Sequence, residues 1–88
     1  MEIVYEKSFE KDLKRISDKR VREQVKLKIV EIRNCNKLTE IKNVKKLTGH
    51  NAIYRIRISD YRIGFEFAES KLIFTRILHR KDIYKYYP

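Results

Sequence analysis

Three arginines in the middle of the chain have the residue type and spacing for chemistry on a phosphate group. Arg55, Arg57 and Arg62 stand in two apolar runs separated by Ser59-Asp60. If Ser59-Asp60 forms a two-residue turn, side-chain alternation places all three arginines on one face of a β-hairpin, and Gly64 leaves space among them. Guanidinium groups bind phosphate oxygens through paired hydrogen bonds. The pattern therefore predicts a clamp for a phosphate.

The register of this hairpin places Arg57 directly opposite Arg62. Like charges in that position repel each other, on the scale of about 0.2–1 kcal/mol that cross-strand pairs show. Glu66 lies diagonal to Arg55 and offsets only part of the charge. A carboxylate opposite Arg57 would serve stability better, so the pattern suggests an anionic ligand. It also fits a solvated basic face with no function, and both interpretations stay open from the residues alone.

The other face of the hairpin is apolar and is the expected core. It carries Tyr54, Ile56, Ile58, Tyr61, Ile63, Phe65 and Phe67. A further strand is expected at Leu72–Leu78, after a turn at Glu69-Ser70. In the register that this turn sets, Thr75 faces Gly64 and Arg76 points to the core side. We expect Arg76 to pair with an acid there or to reach out to solvent.

The first half of the chain predicts a strand followed by two helices. Ile3–Tyr5 is a short apolar run typical of a strand. Ser8 can then cap a helix, with Glu10 and Asp12 in its first turn, where negative charge suits the helix dipole. Ser17-Asp18 offers a second cap. Apolar residues recur at helical spacing after each cap: Phe9, Leu13 and Ile16, then Val21, Val25, Ile29 and Ile32.

Together these elements predict one α+β domain over residues 1–88. The second helix should end near residues 34–36, and Val44–Leu47 supplies another strand before the hairpin. The order βααββββ is typical of an antiparallel β-sheet meander packed against an N-terminal αα-hairpin, with the first strand added to the sheet. The tail, residues 80–87, is expected to be either a short helix or irregular.

The chain carries a formal net charge of +10. Residues 1–40 contribute +3 and residues 41–88 contribute +7, so most of the excess lies in the half that holds the arginines. This balance indicates a polyanion or an acidic protein as partner. Cys35 is the one cysteine, and no apolar run approaches the roughly 20 residues that span a bilayer. We therefore expect a cytoplasmic protein that is not inserted in a membrane.

Four runs of sequence resemble the RelE/ParE family of toxins. They are Lys46-Leu47-Thr48-Gly49, Tyr54-Arg55-Ile56-Arg57-Ile58, Asp60-Tyr61-Arg62-Ile63 and His79-Arg80-Lys81-Asp82-Ile83-Tyr84. The resemblance covers essentially the whole chain and is closer to RelE-like mRNA interferases. It implies a RelE-like, microbial RNase-like fold and a role as the toxin of a type II toxin–antitoxin system.

A RelE-like toxin is a ribosome-dependent endonuclease, and the resemblance implies that activity here. Such a toxin enters the ribosomal A site, where the mRNA is cleaved by attack of its own 2′-hydroxyl and a 2′,3′-cyclic phosphate is left. The reaction needs a base for that hydroxyl, positive charge at the scissile phosphate and a proton donor for the leaving 5′-oxygen. It needs no metal or cofactor, and the sequence has no metal-ligand spacing.

The resemblance also implies roles for individual residues. Arg55 and Arg57 fall where well-known members have two lysines, and Arg62 matches an arginine that stabilises the phosphate. Arg80 matches a C-terminal arginine proposed as proton donor, and Tyr84 a terminal tyrosine that stacks on or orients the substrate base. Further substrate-binding candidates are Lys46, His79, Lys81, Tyr86 and Tyr87, of which the two tyrosines are alternatives to Tyr84.

Arginine in place of lysine at positions 55 and 57 leaves the identity of the general base open. An arginine side chain keeps its proton under all ordinary conditions. Charge stabilisation and strain of the mRNA can suffice, His79 can act as base or acid, or the protein binds RNA without cutting it. A packing or capping role is also open for His79. His50, in a Gly-His-Asn turn, is expected to be only a turn residue.

The same resemblance implies the partners and the main alternative. A cognate RelB-like antitoxin would wrap an acidic or amphipathic segment around the αα-hairpin and the sheet edge, and either cover the arginines or displace the tail that carries Tyr84. The ribosome and mRNA are the other partners. The alternative is a ParE-like, non-enzymatic inhibitor of DNA gyrase. Arg57, Arg62, Arg80 and the terminal tyrosines favour the nuclease, since a gyrase binder does not require them.

Overall fold

A strand, two helices, four further strands and a C-terminal helix follow one another along the chain. The computed structural model describes residues 1–87. The elements are β1 (Glu2–Tyr5), α1 (Lys7–Arg15), α2 (Lys19–Arg33), β2 (Val44–Lys46), β3 (Ile53–Ile58), β4 (Tyr61–Ala68), β5 (Lys71–His79) and α3 (Arg80–Tyr86), with a short 3-10 helix at Leu38–Glu40. The predicted α+β class is confirmed, and the tail, for which two conformations were open, is helical.

The strands form one five-stranded sheet in the order β1-β5-β4-β3-β2. Strands β2 to β5 make the predicted antiparallel meander, and β1 pairs in parallel with β5. Helices α1 and α2 pack on one face of this sheet. The core between them includes Phe9, Val25, Ile32, Ile56, Ile63, Phe65 and Phe74, each at most 1% exposed. Each such side chain contributes about 1.5–3 kcal/mol to folding.

The β3–β4 hairpin has the predicted register. Ile56 pairs with Ile63 and Arg57 pairs with Arg62. Ser59, in the two-residue turn, adopts a left-handed φ of 53°. Since a slip of one residue would turn every apolar side chain of the hairpin to the outside, the core itself enforces this pairing. The arginines consequently lie on the sheet face opposite α1 and α2.

The predicted register between β4 and β5 is wrong in its second half. Gly64 pairs with Arg76 rather than with Thr75, and the register shifts at this point. Thr75 is the extra residue of a β-bulge, and its Oγ1 donates a hydrogen bond to the carbonyl oxygen of Gly64 at 2.9 Å. The bulge returns Ile77 to the core face, where strict alternation would have turned it outward.

Two side chains of α1 complete the free edge of β5 next to this bulge. The prediction that Ser8 caps α1 is wrong, because its Oγ instead donates to the carbonyl oxygen of Thr75 at 2.6 Å. One turn later, Asp12 accepts from Arg76 Nε at 2.7 Å and from the backbone N–H of Ile77 at 3.1 Å. Asp12 is therefore the acid expected to pair with Arg76, and its side chain is 4% exposed.

Helix α2 begins with the predicted cap. Asp18 accepts from the backbone N–H groups of Arg20 and Val21 at 2.9 and 3.4 Å. The helix ends at Arg33, close to the predicted end, and the amino group of Met1 donates to three backbone carbonyls there. Among residues 1–87, no helix has the length and apolar character needed to cross a membrane.

Candidate functional site

The three arginines lie together on the open side of the sheet. We call this surface the arginine face and define it by Arg55, Arg57, Arg62 and Gly64. Alternation along β3 and β4 brings these residues to one side, with Arg55 opposite Gly64 and Arg57 opposite Arg62. An open pocket of about 370 Å³ lies on this face. It is lined by Asn43, Val44, Lys45, Arg55, Arg57, Arg62 and Tyr84.

Among the side chains of residues 1–87, no carboxylate forms an ion pair with the arginines of this pocket. The ion pairs within residues 1–87 are Lys28–Glu31 and Asp12–Arg76, and neither lies on the arginine face. Within residues 1–87, the Arg57 guanidinium donates only to Asn43 Oδ1 at 3.4 Å, and the Arg62 guanidinium donates to two carbonyl oxygens at its own turn at 2.8 and 2.9 Å. Most donors of these two guanidinium groups are therefore available to an anion.

Arg55 differs from the other two arginines because the C-terminal tail covers it. Its guanidinium carbon lies 4.7 Å from the centre of the Tyr84 ring, which is cation–π geometry. Its Nη2 donates to the carbonyl oxygen of Tyr87 at 3.2 Å. Arg55 thus joins the arginine face to α3 and to the residue that follows it.

The space that the sequence leaves at Gly64 is filled by Tyr87. A Cβ at Gly64 would overlap the Tyr87 ring, and Tyr87 as a whole is 7% exposed. Burial raises the pKa of the Tyr87 hydroxyl above its ordinary value of 10.0. The glycine is therefore needed for close packing of the tail on the sheet rather than for room around a substrate.

A second pocket adjoins the first and extends the basic surface. It measures about 320 Å³ and is lined by Lys45, Lys46, Leu47, Thr48, His50, Arg55, Tyr84 and Tyr87. The two pockets share Lys45, Arg55 and Tyr84. Tyr84 is 61% exposed, so its ring forms a wall between two basic compartments. Such an alternation of cations and an exposed ring suits a single nucleic-acid strand, whose phosphates and bases alternate in the same way.

The comparison with known proteins identifies the fold and the family. The sequence model of the family described as ParE toxin of type II toxin–antitoxin system, parDE, matches residues 3–84. Toxin RelE3 of Methanocaldococcus jannaschii is 44% identical over 89 residues, spanning 100% of both chains. The chain belongs to the RelE/ParE toxin family.

Solved structures of RelE/ParE toxins agree with this fold. The RelB–RelE antitoxin–toxin complex from Methanococcus jannaschii contains a chain that is 43% identical, with a TM-score of 0.81 and coverage of 97% of this chain and 99% of that one. The isolated RelE toxin of E. coli matches with a TM-score of 0.68 at 20% identity, covering 89% of this chain and 82% of that one. The second likeness concerns the fold alone.

Within this RelE/ParE fold, the predicted site residues separate into three groups. Arg55, Arg57, Arg62 and Tyr84 meet in the first pocket, while Lys46 and Tyr87 lie in the second. The remaining candidates, namely His79, Arg80, Lys81 and Tyr86, line neither of these two pockets. Arg80, Lys81 and Tyr86 are exposed on α3.

His79 lies away from the arginines. Its Nδ1 accepts from the backbone N–H of Lys81 at 3.2 Å, so it caps α3. Its ring packs edge-on against Tyr61, with 5.6 Å between the centroids, and it lines a separate pocket that also contains Asp12 and Asp82. This position agrees with the capping and packing role rather than with a base at the arginine face.

Two of the basic residues that line the pockets were not predicted as site residues from the sequence. Lys45 lies opposite Arg55 on β2 and borders both pockets. Strand alternation over Val44–Leu47 puts Lys45 on the face opposite Val44, but only the observed pairing with β3 shows that this is the arginine face. His50 was expected to be only a turn residue, and its position in the second pocket depends on how the β2–β3 loop folds over the sheet.

Proposed function

We propose that this toxin is a ribosome-dependent mRNA endonuclease. The observation that carries the proposal is the Arg57–Arg62 pair, which is in register across the hairpin and opens into a pocket walled by Tyr84. Neither arginine forms an ion pair with a carboxylate of residues 1–87. A structural role does not account for two facing cations, because their repulsion destabilises the hairpin. A phosphate between them would attract both guanidinium groups and so offset that repulsion.

The chemistry would be an intramolecular displacement within the RNA. The 2′-hydroxyl of one nucleotide attacks the adjacent phosphorus, and the bond to the 5′-oxygen breaks, leaving a 2′,3′-cyclic phosphate. Arg57 and Arg62 would stabilise the charge that develops on the phosphoryl oxygens, an effect worth about 10²–10³-fold for one well-placed donor. Tyr84 would stack on a base and thereby bind the strand in the pocket. Arg80 remains the candidate proton donor from the resemblance, although it lines neither pocket.

The proton acceptor is not an arginine of the pocket. Guanidinium groups keep their proton under ordinary conditions, and His79 lies away from the arginine face. Within residues 1–87, no three His, Cys, Asp or Glu side chains lie close enough together to hold a metal ion. We therefore propose that orientation of the 2′-hydroxyl and charge stabilisation account for most of the rate, with water or a ribosomal group taking the proton.

Mapping mRNA ends on programmed ribosomes tests the nuclease directly. The purified toxin is added to ribosomes that hold a defined mRNA, and 3′ ends are examined for cyclic phosphate. Cuts inside the A-site codon, lost in Arg62→Ala and retained in Lys26→Ala on α2, are expected. Intact mRNA under conditions of full A-site occupancy would refute the nuclease.

Inhibition of DNA gyrase is the second candidate, and the match to the ParE family model favours it. This function needs only a binding surface and no cleavage. Supercoiling by gyrase in the presence of the toxin is the discriminating measurement. Block of supercoiling together with uncut mRNA would replace the nuclease by this alternative.

We also propose a RelB-like antitoxin as partner. The RelB–RelE complex from Methanococcus jannaschii and the intact E. coli RelBE complex contain chains similar to this one. The net charge of +10 favours an acidic partner segment. Leu27 and Val30 of α2 are 62% and 54% exposed and offer apolar contacts on the αα-hairpin. Co-expression with the product of the neighbouring gene, followed by size-exclusion chromatography, tests this association.

A further inference from the structure

Arg55 lines the pocket, but the contacts of its guanidinium group are with the C-terminal tail. One face of its guanidinium lies over the Tyr84 ring, at 4.7 Å, and Nη2 donates to the Tyr87 carbonyl oxygen at 3.2 Å. Its Nε is buried and finds no hydrogen-bond partner among residues 1–87. Arg57, by contrast, is exposed and makes one long contact with a side chain. The three arginines therefore do not form a uniform set.

The docking of the tail depends on the absence of a side chain at Gly64. The Tyr87 ring occupies the place where a Cβ would stand, and Gly64 needs no left-handed backbone conformation that would otherwise explain a glycine. Ile83 of α3 is fully buried, which fixes the helix on the same side. We call the space above Gly64 that the Tyr87 ring fills the socket. Gly64 and Arg55 are directly paired across β3 and β4, so the socket lies next to the arginine that binds the tail.

We propose that Arg55 is a positioning residue that latches residues 84–87 onto the arginine face and thereby fixes the Tyr84 ring as the stacking wall of the site. This inference rests on the proposed nuclease function, because that function gives the Tyr84 ring its role in stacking on a base. It differs from the role that the family resemblance implies for position 55, where a side chain acts on the reacting groups. In this chain that side chain acts through the tail.

We call the contacts of Arg55 with Tyr84 and Tyr87 the latch. The latch also determines on which face of the Tyr84 ring a base can stack. Arg55 covers one side of the ring, and the ring remains 61% exposed as a residue. A nucleotide base would therefore stack on the opposite side, with the guanidinium behind the ring. Stacking of this kind tolerates all four bases, since each has a π-face. The phosphate next to that base would then fall towards Arg57 and Arg62.

Amide hydrogen exchange on the free toxin measures the latch without any substrate. Arg55→Ala and Tyr87→Ala are each expected to speed exchange of the α3 amides by about tenfold or more. Arg57→Ala is the matched control, with an arginine removed from the same strand and face, and should leave α3 exchange as in the wild type. Unchanged α3 exchange in Arg55→Ala would overturn the latch.

Cleavage kinetics separate positioning from direct catalysis. Loss of the latch should raise KM for programmed ribosomes by about tenfold while kcat changes little, because the stacking wall contributes to binding. Arg57→Ala should instead lower kcat. Arg55→Lys, which keeps the charge but loses the flat guanidinium, should behave like Arg55→Ala. A kcat effect in Arg55→Ala as large as that in Arg57→Ala would mean that Arg55 acts on the reacting groups.

Gly64→Ala tests the socket without touching a charge. The added methyl should expel the Tyr87 ring, speed α3 exchange and raise KM as Arg55→Ala does. The double variant Gly64→Ala/Tyr87→Ala removes the clash between the new methyl group and the ring. We expect it to have normal thermal stability and a high KM, which would show that the KM depends on the docked tail and not on damage to the sheet. Wild-type KM in that double variant would overturn the inference. If the wild type cuts no mRNA, the nuclease fails, while the exchange data still decide the latch.

Discussion

Arg57 and Arg62 face each other directly across the β3–β4 hairpin, and neither has a carboxylate partner within the described part of the chain. Removal of Arg62 should therefore relieve repulsion in the sheet. We expect Arg62→Ala to keep or gain stability, by up to about 1 kcal/mol, while mRNA cleavage falls by about 10²–10³-fold. Thermal unfolding and the ribosome assay measure the two effects. A strongly destabilised Arg62→Ala would mean that this arginine supports the fold instead.

Asp12 should be among the most sensitive polar positions of the fold. Its carboxylate is 4% exposed and binds both the Arg76 guanidinium and the backbone N–H of Ile77. Asp12→Ala leaves the buried N–H group without an acceptor and the partly exposed cation without its partner, at a cost of about 1–3 kcal/mol. Urea unfolding measures it, and Glu10→Ala on the exposed side of α1 is the control. A loss below about 1 kcal/mol would contradict the assigned role.

Glu31 should make stability fall at acid pH. Burial acts to raise the pKa of its carboxyl, but hydrogen bonds from Lys28 Nζ and the backbone N–H of Lys42 outweigh burial and hold the pKa below the ordinary 4.5. A lowered pKa in the folded state stabilises the protein above pH 4.5, and this stability is lost as the pH falls through the folded value.

The measurement for Glu31 is the free energy of unfolding between neutral and acid pH. Glu31→Gln should flatten the acid side of this profile, and Glu23→Gln, exposed on the same helix, should leave it unchanged. Identical acid profiles for wild type and Glu31→Gln would remove Glu31 as a contributor.

Tyr87 should make docking of the tail sensitive to alkaline pH. Burial raises the pKa of its hydroxyl, and the charge of Glu66 adds to this effect, so the folded state favours the neutral phenol. The docked tail is therefore fully stable below the ordinary pKa of 10.0 and loses stability as the pH rises above it. Near-ultraviolet circular dichroism from pH 9 to pH 11 follows this change.

The control for Tyr87 is Tyr87→Phe, which cannot ionise at this position. The hydroxyl is buried and makes no well-formed hydrogen bond among residues 1–87, although Thr75 lies near it, so its loss should change stability by no more than about 1 kcal/mol. An alkaline transition that persists in Tyr87→Phe would show that ionisation of Tyr87 is not its cause.

The sequence was sufficient for those parts of the fold that depend on local pattern. The register of the hairpin follows from alternation and a two-residue turn, and the cap at Asp18 follows from residue type and position. The bulge at Thr75 was not predictable in this way, because its stability depends on Ser8 and Asp12, which lie 67 and 64 residues away along the chain from Thr75 and Arg76. Contacts between residues so far apart along the chain produce no periodic pattern in the sequence.

The candidate site was predicted in part for the same reason. The arginine cluster follows from strand alternation alone, whereas the division of labour between Arg55 and Arg57 depends on where the tail lies. Gly64 was read as space for a ligand, and the structure places the Tyr87 ring there. Side-chain alternation shows which residues share a face, but it does not show which other segment covers that face.

The closure of β5 by β1 and α1 has a consequence for the timing of toxin synthesis. The parallel β1–β5 pairing and the Asp12–Arg76 contact join the beginning of the chain to residues 71–77. Contacts of such long sequence separation form late and slow the folding of small domains. A nascent chain must therefore be nearly complete before the arginine face has a finished sheet beneath it.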